Sequence, residues 1–137
     1  MSIAGIEVKA APGPPLGALF GGLTLLSCFA IGILGLDHLP LSLCVFKAFT
    51  GRPCVTCGTT RALGRLYALD VAGALRMNPL AAIGAMALVL WGLLDLVFLA
   101  RGRALNVELT PGLARLSRYL VVLAILLNWA YLIAEGR

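Results

Sequence analysis

Three long apolar runs constrain this chain more than any other feature of its sequence. Residues 16–36 and 80–100 each supply 21 positions, and residues 119–134 supply 16 more. About 20 apolar residues in an α-helix, rising 1.5 Å per residue, cover the roughly 30 Å hydrocarbon core of a bilayer. Transmembrane strands would need alternating polar and apolar residues, which these runs lack. The sequence therefore predicts an all-α integral membrane protein with three transmembrane helices.

The composition agrees with this class and excludes others. Of 137 residues, 61% are hydrophobic and 12% are charged, whereas soluble domains carry roughly a quarter charged residues. In a soluble protein, the formal net charge of +5 would suggest nucleic-acid binding as a function. Here the basic residues flank apolar runs and are not interleaved with aromatic residues, as a base-stacking surface would require. We therefore expect membrane lipid as a partner and no nucleic acid.

The spans divide a single membrane domain, residues 1–137, into further segments. Residues 1–15 contain three prolines and predict a flexible tail, residues 37–79 form a long loop, and residues 101–118 form a basic loop with four arginines. Dense basic residues beside span ends favour the cytoplasmic side. The N-terminus is then expected in the cytoplasm, with the 37–79 loop on the opposite side of the membrane.

Most of the chemically distinctive residues lie in the 37–79 loop. Cys54 and Cys57 form a C-x-x-C pair, Cys44 lies ten residues upstream, and His38 is the only histidine. The fourth cysteine, Cys28, falls within the first span, where a small buried apolar side chain is expected. The loop is thus the candidate site.

Two short helices are predicted after the C-x-x-C pair. Thr59 or Thr60 can cap a helix with one apolar face, and Asp70 can cap a second helix over residues 71–77 that ends before Asn78-Pro79. Both are too short to span, so we expect amphipathic helices at the membrane surface. Arg61 could reach Asp70, a carbonyl or an anionic lipid headgroup.

The cysteines allow three interpretations. One is a Cys3His zinc site built from Cys44, Cys54, Cys57 and His38, a ligand set suited to tetrahedral zinc. A second is a structural disulfide, which leaves one loop cysteine unpaired. The third is a redox dithiol of Cys54 and Cys57 with Cys44 as resolving thiol, placed before a helix N-terminus that, with Arg61, favours a thiolate.

Motifs for other chemistry are missing from the sequence. A single histidine excludes H-E-x-x-H, and neither a Walker loop, a G-x-S-x-G motif nor a dinucleotide fingerprint occurs. This favours a non-enzymatic membrane subunit or binding module with a cysteine-clamped surface loop and a membrane or extracytoplasmic protein partner. A membrane thiol-disulfide oxidoreductase is the alternative.

The loop also carries a recognisable signature. It resembles the small bacterial membrane proteins of domain of unknown function 2752, whose core reads C...TGxPCPGCGxTRA...GD...AL...NP. Val55-Thr56 here replaces Pro-Gly, and Leu69 replaces the glycine before the aspartate. The resemblance covers residues 44–80 and implies a bacterial inner-membrane protein, with no activity attached. The motif residues that it singles out are Cys44, Gly51, Pro53, Cys54, Cys57, Gly58, Thr60, Arg61, Asp70, Asn78 and Pro79.

Polar and small residues within the spans predict helix contacts. Asp95 and Asn128 lie inside apolar runs, where such residues usually find a partner within the protein. Gly17 and Gly21 form a small-xxx-small pair that lets another helix approach closely.

Overall fold

The computed structural model describes residues 2–3, 6–11, 14–36, 45–102 and 104–136, with the backbone alone at 2–3, 6–11, 45–47 and 104–109. Helices dominate, and three of them are long and apolar enough to cross a membrane. This confirms the predicted fold class. The helices are α1 (Leu16–Leu34), α2 (Val45–Thr50), α3 (Thr59–Tyr67), α4 (Val71–Met77), α5 (Pro79–Leu99) and α6 (Pro111–Ala134).

The third long helix begins earlier than the apolar run alone predicts. It starts at Pro111, where the missing N–H of proline costs nothing, and the N–H of Ala114 donates to the Thr110 carbonyl at 2.8 Å. Arg115 and Arg118 lie exposed within this first part of the helix. The second half of the predicted basic loop is therefore helical, because long basic side chains can extend towards water while the helix continues.

A small antiparallel sheet corrects the prediction for the N-terminal tail and the basic loop. Its strands are β1 (Ser2–Ile3), β2 (Ile6–Ala11) and β3 (Ala104–Leu109), in the order β1-β2-β3. The longer pairing runs from Ile6 opposite Leu109 to Ala11 opposite Ala104. Both longer segments, IEVKAA and ALNVEL, largely alternate apolar and polar residues, the signature of a half-buried strand, and the three prolines of the tail follow β2.

The chain forms two compact units, which are described separately. The first comprises residues 1–25 and 86–122. Within it, a Cβ on Gly21 would lie 2.8 Å from the Gly92 Cα, so the backbones of α1 and α5 are in direct contact there. Asp95 is fully buried, and its Oδ2 accepts the backbone N–H of Ala18 at 3.1 Å. This N–H belongs to the first turn of α1, where backbone donors have no intrahelical partner.

The second unit comprises residues 26–85 and 123–137 and contains the candidate site. Its core is a cluster of three buried alanines, Ala62 on α3, Ala74 on α4 and Ala82 on α5. Small side chains allow these helices to approach closely. Cys28 of α1 is buried as expected. Leu66, Leu75 and Met77 pack around the alanines.

Candidate functional site

Cys54 and Cys57 lie side by side as a pair of thiols. Their Sγ atoms are 3.4 Å apart, the N–H of Cys54 donates to Cys57 Sγ at 3.3 Å, and Thr56 Oγ1 lies 3.2 Å from Cys54 Sγ. A disulfide bond measures about 2.05 Å, so the two sulfurs are in contact without being bonded to each other. Both residues are partly buried. We call residues 53–58 the dithiol loop.

The local backbone explains why the sulfurs meet. The N–H of Cys57 donates to the Cys54 carbonyl at 3.0 Å, which closes a tight turn, and Gly58 then adopts a left-handed conformation with φ of 81°. A Cβ at Gly58 would also lie 3.1 Å from the Met77 carbonyl oxygen. Glycine is therefore favoured at this position by both conformation and space.

Gly58 also changes how α3 begins. It occupies the N-cap position, and no side chain caps the helix there. The prediction that Thr59 or Thr60 caps α3 is wrong, because both threonines already lie within the helix. Thr60 is exposed and lies three residues after Cys57 in the chain.

Three side chains hold the dithiol loop through its carbonyl groups. Asn78 Nδ2 donates to the Val55 and Cys57 carbonyls at 3.2 and 3.1 Å. Asn128 Nδ2 donates to the Val55 carbonyl at 3.3 Å, and Trp129 Nε1 donates to the Pro53 carbonyl at 3.0 Å. Every second carbonyl, at 53, 55 and 57, thus has a side-chain donor. We call Asn78, Asn128 and Trp129 the carbonyl brace.

The two asparagines of the brace also fix the start of α5. Asn78 is its N-cap, with Oδ1 accepting the N–H of Ala81 at 3.0 Å, and Pro79 is its first residue. Asn128 Oδ1 accepts the N–H of Leu80 at 3.1 Å. The first N–H groups of a helix need such acceptors, since they have none within the helix. Loop and helix start therefore share the same two side chains.

The charged pair of the site uses Arg65, whereas the sequence offered Asp70 only as one of three partners for Arg61. Arg65 Nη1 lies 2.6 Å from Asp70 Oδ2, and both Arg65 and Arg61 are exposed. Asp70 Oδ1 accepts the N–H of Gly73 at 2.8 Å, which confirms its predicted role as the cap of α4. The Gly73 N–H and then the Arg65 guanidinium lower the pKa of the Asp70 carboxyl. Both partners are partly exposed, so the ion pair itself is a modest contribution.

The structure describes two of the four proposed zinc ligands, Cys54 and Cys57. Cys44 and His38 lie outside the described residues, and within the described ranges no group of three or more His, Cys, Asp or Glu side chains could hold a metal ion. Cys54 and Cys57 would supply two thiolate ligands. Tetrahedral zinc with Zn–S distances of about 2.3 Å places two sulfurs roughly 3.8 Å apart, close to the arrangement of this pair. The Cys3His set remains a prediction.

The other motif residues serve the approach to the loop. Gly51 is exposed with φ of 69°, a conformation that glycine adopts without strain. Pro53 is buried, and its carbonyl accepts from Trp129. Between Gly51 and Pro53 lies Arg52, a variable position of the motif, which is exposed and whose N–H donates to Thr50 Oγ1 at 3.3 Å.

Sequence reasoning missed two contributors on α6. Trp129 donates to the dithiol loop. The hydroxyl of Tyr131 donates to the Arg76 carbonyl at 2.9 Å, which joins the end of α4 to α6. In the sequence, the only sign of a contact near Trp129 and Tyr131 is the polar Asn128. The spacing of residues along the chain does not reveal the partners of Asn128. The end of α6 therefore anchors the site.

The fold defines a membrane protein with three candidate spanning helices and a braced dithiol loop. Residues 44–92 match the model of a family described as protein of unknown function, DUF2752, which confirms the resemblance seen in the motif. The match takes in α2, the dithiol loop, α3, α4 and the first part of α5. Comparison with curated proteins and with solved structures gave no match.

Proposed function

We propose that this protein is a non-enzymatic membrane subunit whose dithiol loop is a binding surface fastened by its cysteines. The observation that carries the proposal is the carbonyl brace. Side chains of α6 and the N-cap of α5 hold three carbonyls of a six-residue loop, which restricts the shapes that the loop can adopt. A surface that is already ordered loses little conformational entropy when a partner binds.

The cysteines would fasten the loop in one of two ways. Formation of a Cys54–Cys57 disulfide needs the sulfurs to approach from 3.4 Å to about 2.05 Å. Zinc would instead use both thiolates, with Cys44 and His38 completing the ligand set. Either linkage would join Cys54 to Cys57, whose sulfurs are already in contact, so it would stabilise the existing loop shape.

The partner is expected to carry negative charge. Residues 48–78 contain Arg52, Arg61, Arg65 and Arg76 but only one acidic residue, Asp70. All four arginines are exposed, and Arg65 is paired with Asp70. A cationic surface attracts an acidic one and speeds their association. We therefore propose an acidic segment of a membrane or extracytoplasmic protein as the partner.

The first test determines the chemical state of the thiols. Detergent-purified protein is alkylated under denaturing conditions with and without prior reduction, its intact mass is measured, and zinc is quantified in the same sample. Two thiols that react only after reduction, or one zinc per chain, support the fastened loop. Reactive thiols without zinc, together with a Cys54→Ser variant that unfolds at the wild-type temperature, would overturn it.

A thiol-disulfide oxidoreductase is the second candidate, favoured by the 3.4 Å contact between the sulfurs and the following N-terminus of α3. Cys54 thiolate would attack a partner disulfide, forming a mixed disulfide and releasing one partner thiolate. Cys57 thiolate would then attack Cys54 Sγ, leaving the Cys54–Cys57 disulfide and the reduced partner. This mechanism predicts that a Cys57→Ser variant accumulates a mixed disulfide. Failure to trap one would eliminate the enzyme.

We also propose a location in the bacterial inner membrane, with the N-terminus in the cytoplasm. The four arginines of residues 101–118 support this orientation, since basic residues beside span ends are retained inside. Protease treatment of sealed inverted vesicles should then remove an N-terminal epitope tag. The same treatment of right-side-out vesicles should leave the tag intact, and the opposite pattern would reverse the orientation.

A further inference from the structure

We propose that the turn between α3 and α4 is a lipid anchor, with the side chain of Leu69 inserted among the acyl chains of the bilayer. This surface is separate from the dithiol loop. The proposal concerns how the second unit contacts the membrane. It does not depend on whether the cysteines form a disulfide, bind zinc or act as a redox dithiol.

The backbone of the turn places Leu69 where glycine is normally found. The N–H of Leu69 donates to the Leu66 carbonyl at 3.0 Å, and the N–H of Asp70 donates to the Arg65 carbonyl at 2.8 Å. These two bonds define a Schellman motif, in which the residue after the C-cap is left-handed. Leu69 has φ of 60° and is the only left-handed residue other than glycine among those described. A side chain with a Cβ is strained in this conformation.

The side chain at this strained position also projects away from the protein. Leu69 is 87% exposed, and Tyr67 and Val71 on either side are 41% and 42% exposed. In water, a leucine here would combine backbone strain with unfavourable hydration. In lipid the same side chain gains from transfer to an apolar medium, which offsets the strain.

The neighbouring contacts place the turn beside a spanning helix. The ring of Tyr67 packs edge-on against Phe29 of α1, with centroids 5.4 Å apart, and a Cβ on Gly32 would overlap the same ring. α1 ends at Leu34, so at 1.5 Å per residue these contacts lie about 3 to 8 Å inside the helix end. The end of α3 is therefore level with the last turns of a membrane span, and Leu69 follows it by two residues.

The charges next to Leu69 are arranged to allow insertion. Asp70 would be costly to bring towards lipid alone, because an isolated charge is poorly solvated there. Its carboxylate is 2.6 Å from the Arg65 guanidinium and also accepts the N–H of Gly73. The pair has no net charge, and both side chains are partly exposed, so they can remain at the headgroup level while Leu69 points deeper.

The test uses the wild-type chain in bilayers. The protein is reconstituted into phosphatidylcholine nanodiscs containing a lipid with a diazirine in its acyl chain, irradiated and digested with trypsin. Cleavage at Arg65 and Arg76 releases peptide 66–76, and cleavage at Arg118 releases peptide 119–137 from α6. We expect lipid adducts on both peptides, with the adduct of peptide 66–76 located at Leu69 or Val71.

A matched variant assigns the signal to one side chain. Leu69→Gly keeps the left-handed conformation and removes the proposed anchor, so the adduct yield on peptide 66–76 should fall at least threefold while the yield on peptide 119–137 stays constant. Wild-type protein that labels peptide 119–137 and leaves peptide 66–76 unmodified would overturn the proposal. That result would instead leave Leu69 as part of a face for a protein partner.

Discussion

Asn128, in the middle of an apolar stretch of α6, donates its side-chain amide to the carbonyl of Val55, 73 residues earlier in the chain. Its amide oxygen accepts the N–H of Leu80. A polar side chain within a membrane span is expensive unless both its donor and its acceptor are used, and here both are. The same residue thereby joins the last turns of α6, the dithiol loop and the start of α5.

Asn78 performs a related task, and its variants can separate the loop from the helix cap. Asn78→Asp retains an oxygen for the N–H of Ala81 but loses the donors to the Val55 and Cys57 carbonyls. We expect it to lower the free energy of unfolding by at least about 1–3 kcal/mol, the cost of unsatisfied buried groups, because the buried carboxylate also faces two carbonyl oxygens. Asn78→Ala loses the same donors and also the helix cap, which is worth roughly 1 kcal/mol, but it places no carboxylate beside the carbonyl oxygens. Denaturant unfolding in detergent measures both.

The alkylation rates of Cys54 and Cys57 report how the Asn78→Asp substitution affects the dithiol loop itself. In the reduced protein, the Asn78→Asp variant should be alkylated faster at Cys54 and Cys57 than wild type, since the loop carbonyls have lost two donors. An Asp variant with wild-type stability and wild-type alkylation rates would show that the amide donors do not hold the loop.

Trp129 allows a cleaner test of a single hydrogen bond. Trp129→Phe removes the indole N–H that donates to the Pro53 carbonyl and leaves a smaller, six-membered aromatic ring. We expect a loss of about 1 kcal/mol in unfolding free energy. Trp91→Phe is the matched control, because within the described part of the chain Trp91 Nε1 is buried without a hydrogen-bond partner. Equal losses in the two variants would assign the effect to ring volume.

These contacts mark the limit of what the sequence could predict. The spanning helices follow from run length, and α4 lies at the predicted residues 71–77 because Asp70 and Asn78-Pro79 are local start and stop signals. The partners of Asn128 and Trp129 are more than 45 residues away in the chain. No local pattern encodes such a pairing.

The ion pair and the sheet were missed for different reasons. Arg65 lies in the last turn of α3 and Arg61 lies one turn before it, and only the reversal at Leu69 decides that Arg65 is the one that meets Asp70. In β2 and β3 the alternation lasts only five residues, and each segment adjoins proline or basic residues typical of a loop. Their pairing runs from Ala11 opposite Ala104 to Ile6 opposite Leu109, about 100 residues apart in the chain, and an alternating pattern does not identify the partner strand.

The Asp70 carboxyl should make the α3–α4 turn sensitive to acid. Its pKa is lowered in the folded protein, first by the Gly73 N–H and then by Arg65. The carboxylate therefore stabilises the fold above the unfolded pKa of about 3.9, and this contribution is lost as pH falls through the lower folded pKa. The melting temperature in detergent, measured from pH 7 to pH 2, should decline in that window.

Asp70→Asn is the control for this dependence, since it keeps an oxygen for the Gly73 N–H but cannot titrate. The variant should melt below wild type at pH 7, and the difference should shrink as the pH falls below 4. A constant difference between the two proteins across the whole range would mean that Asp70 does not contribute to the acid sensitivity.

Adjacent glycines in α1 test the close approach of α1 and α5 in the first unit. A Cβ at Gly21 would lie 2.8 Å from both the Gly92 Cα and the Leu88 carbonyl oxygen, whereas a Cβ at Gly22 meets nothing within 4 Å. Gly21→Ala should therefore destabilise the protein, by about 1–3 kcal/mol as for other overpacked contacts, because backbone atoms must move. Gly22→Ala should be neutral or stabilising by up to about 1 kcal/mol through its higher helix propensity. Thermal unfolding of both variants in the same detergent compares them directly. If Gly21→Ala were as stable as Gly22→Ala, the two helix backbones could not be in contact at this position.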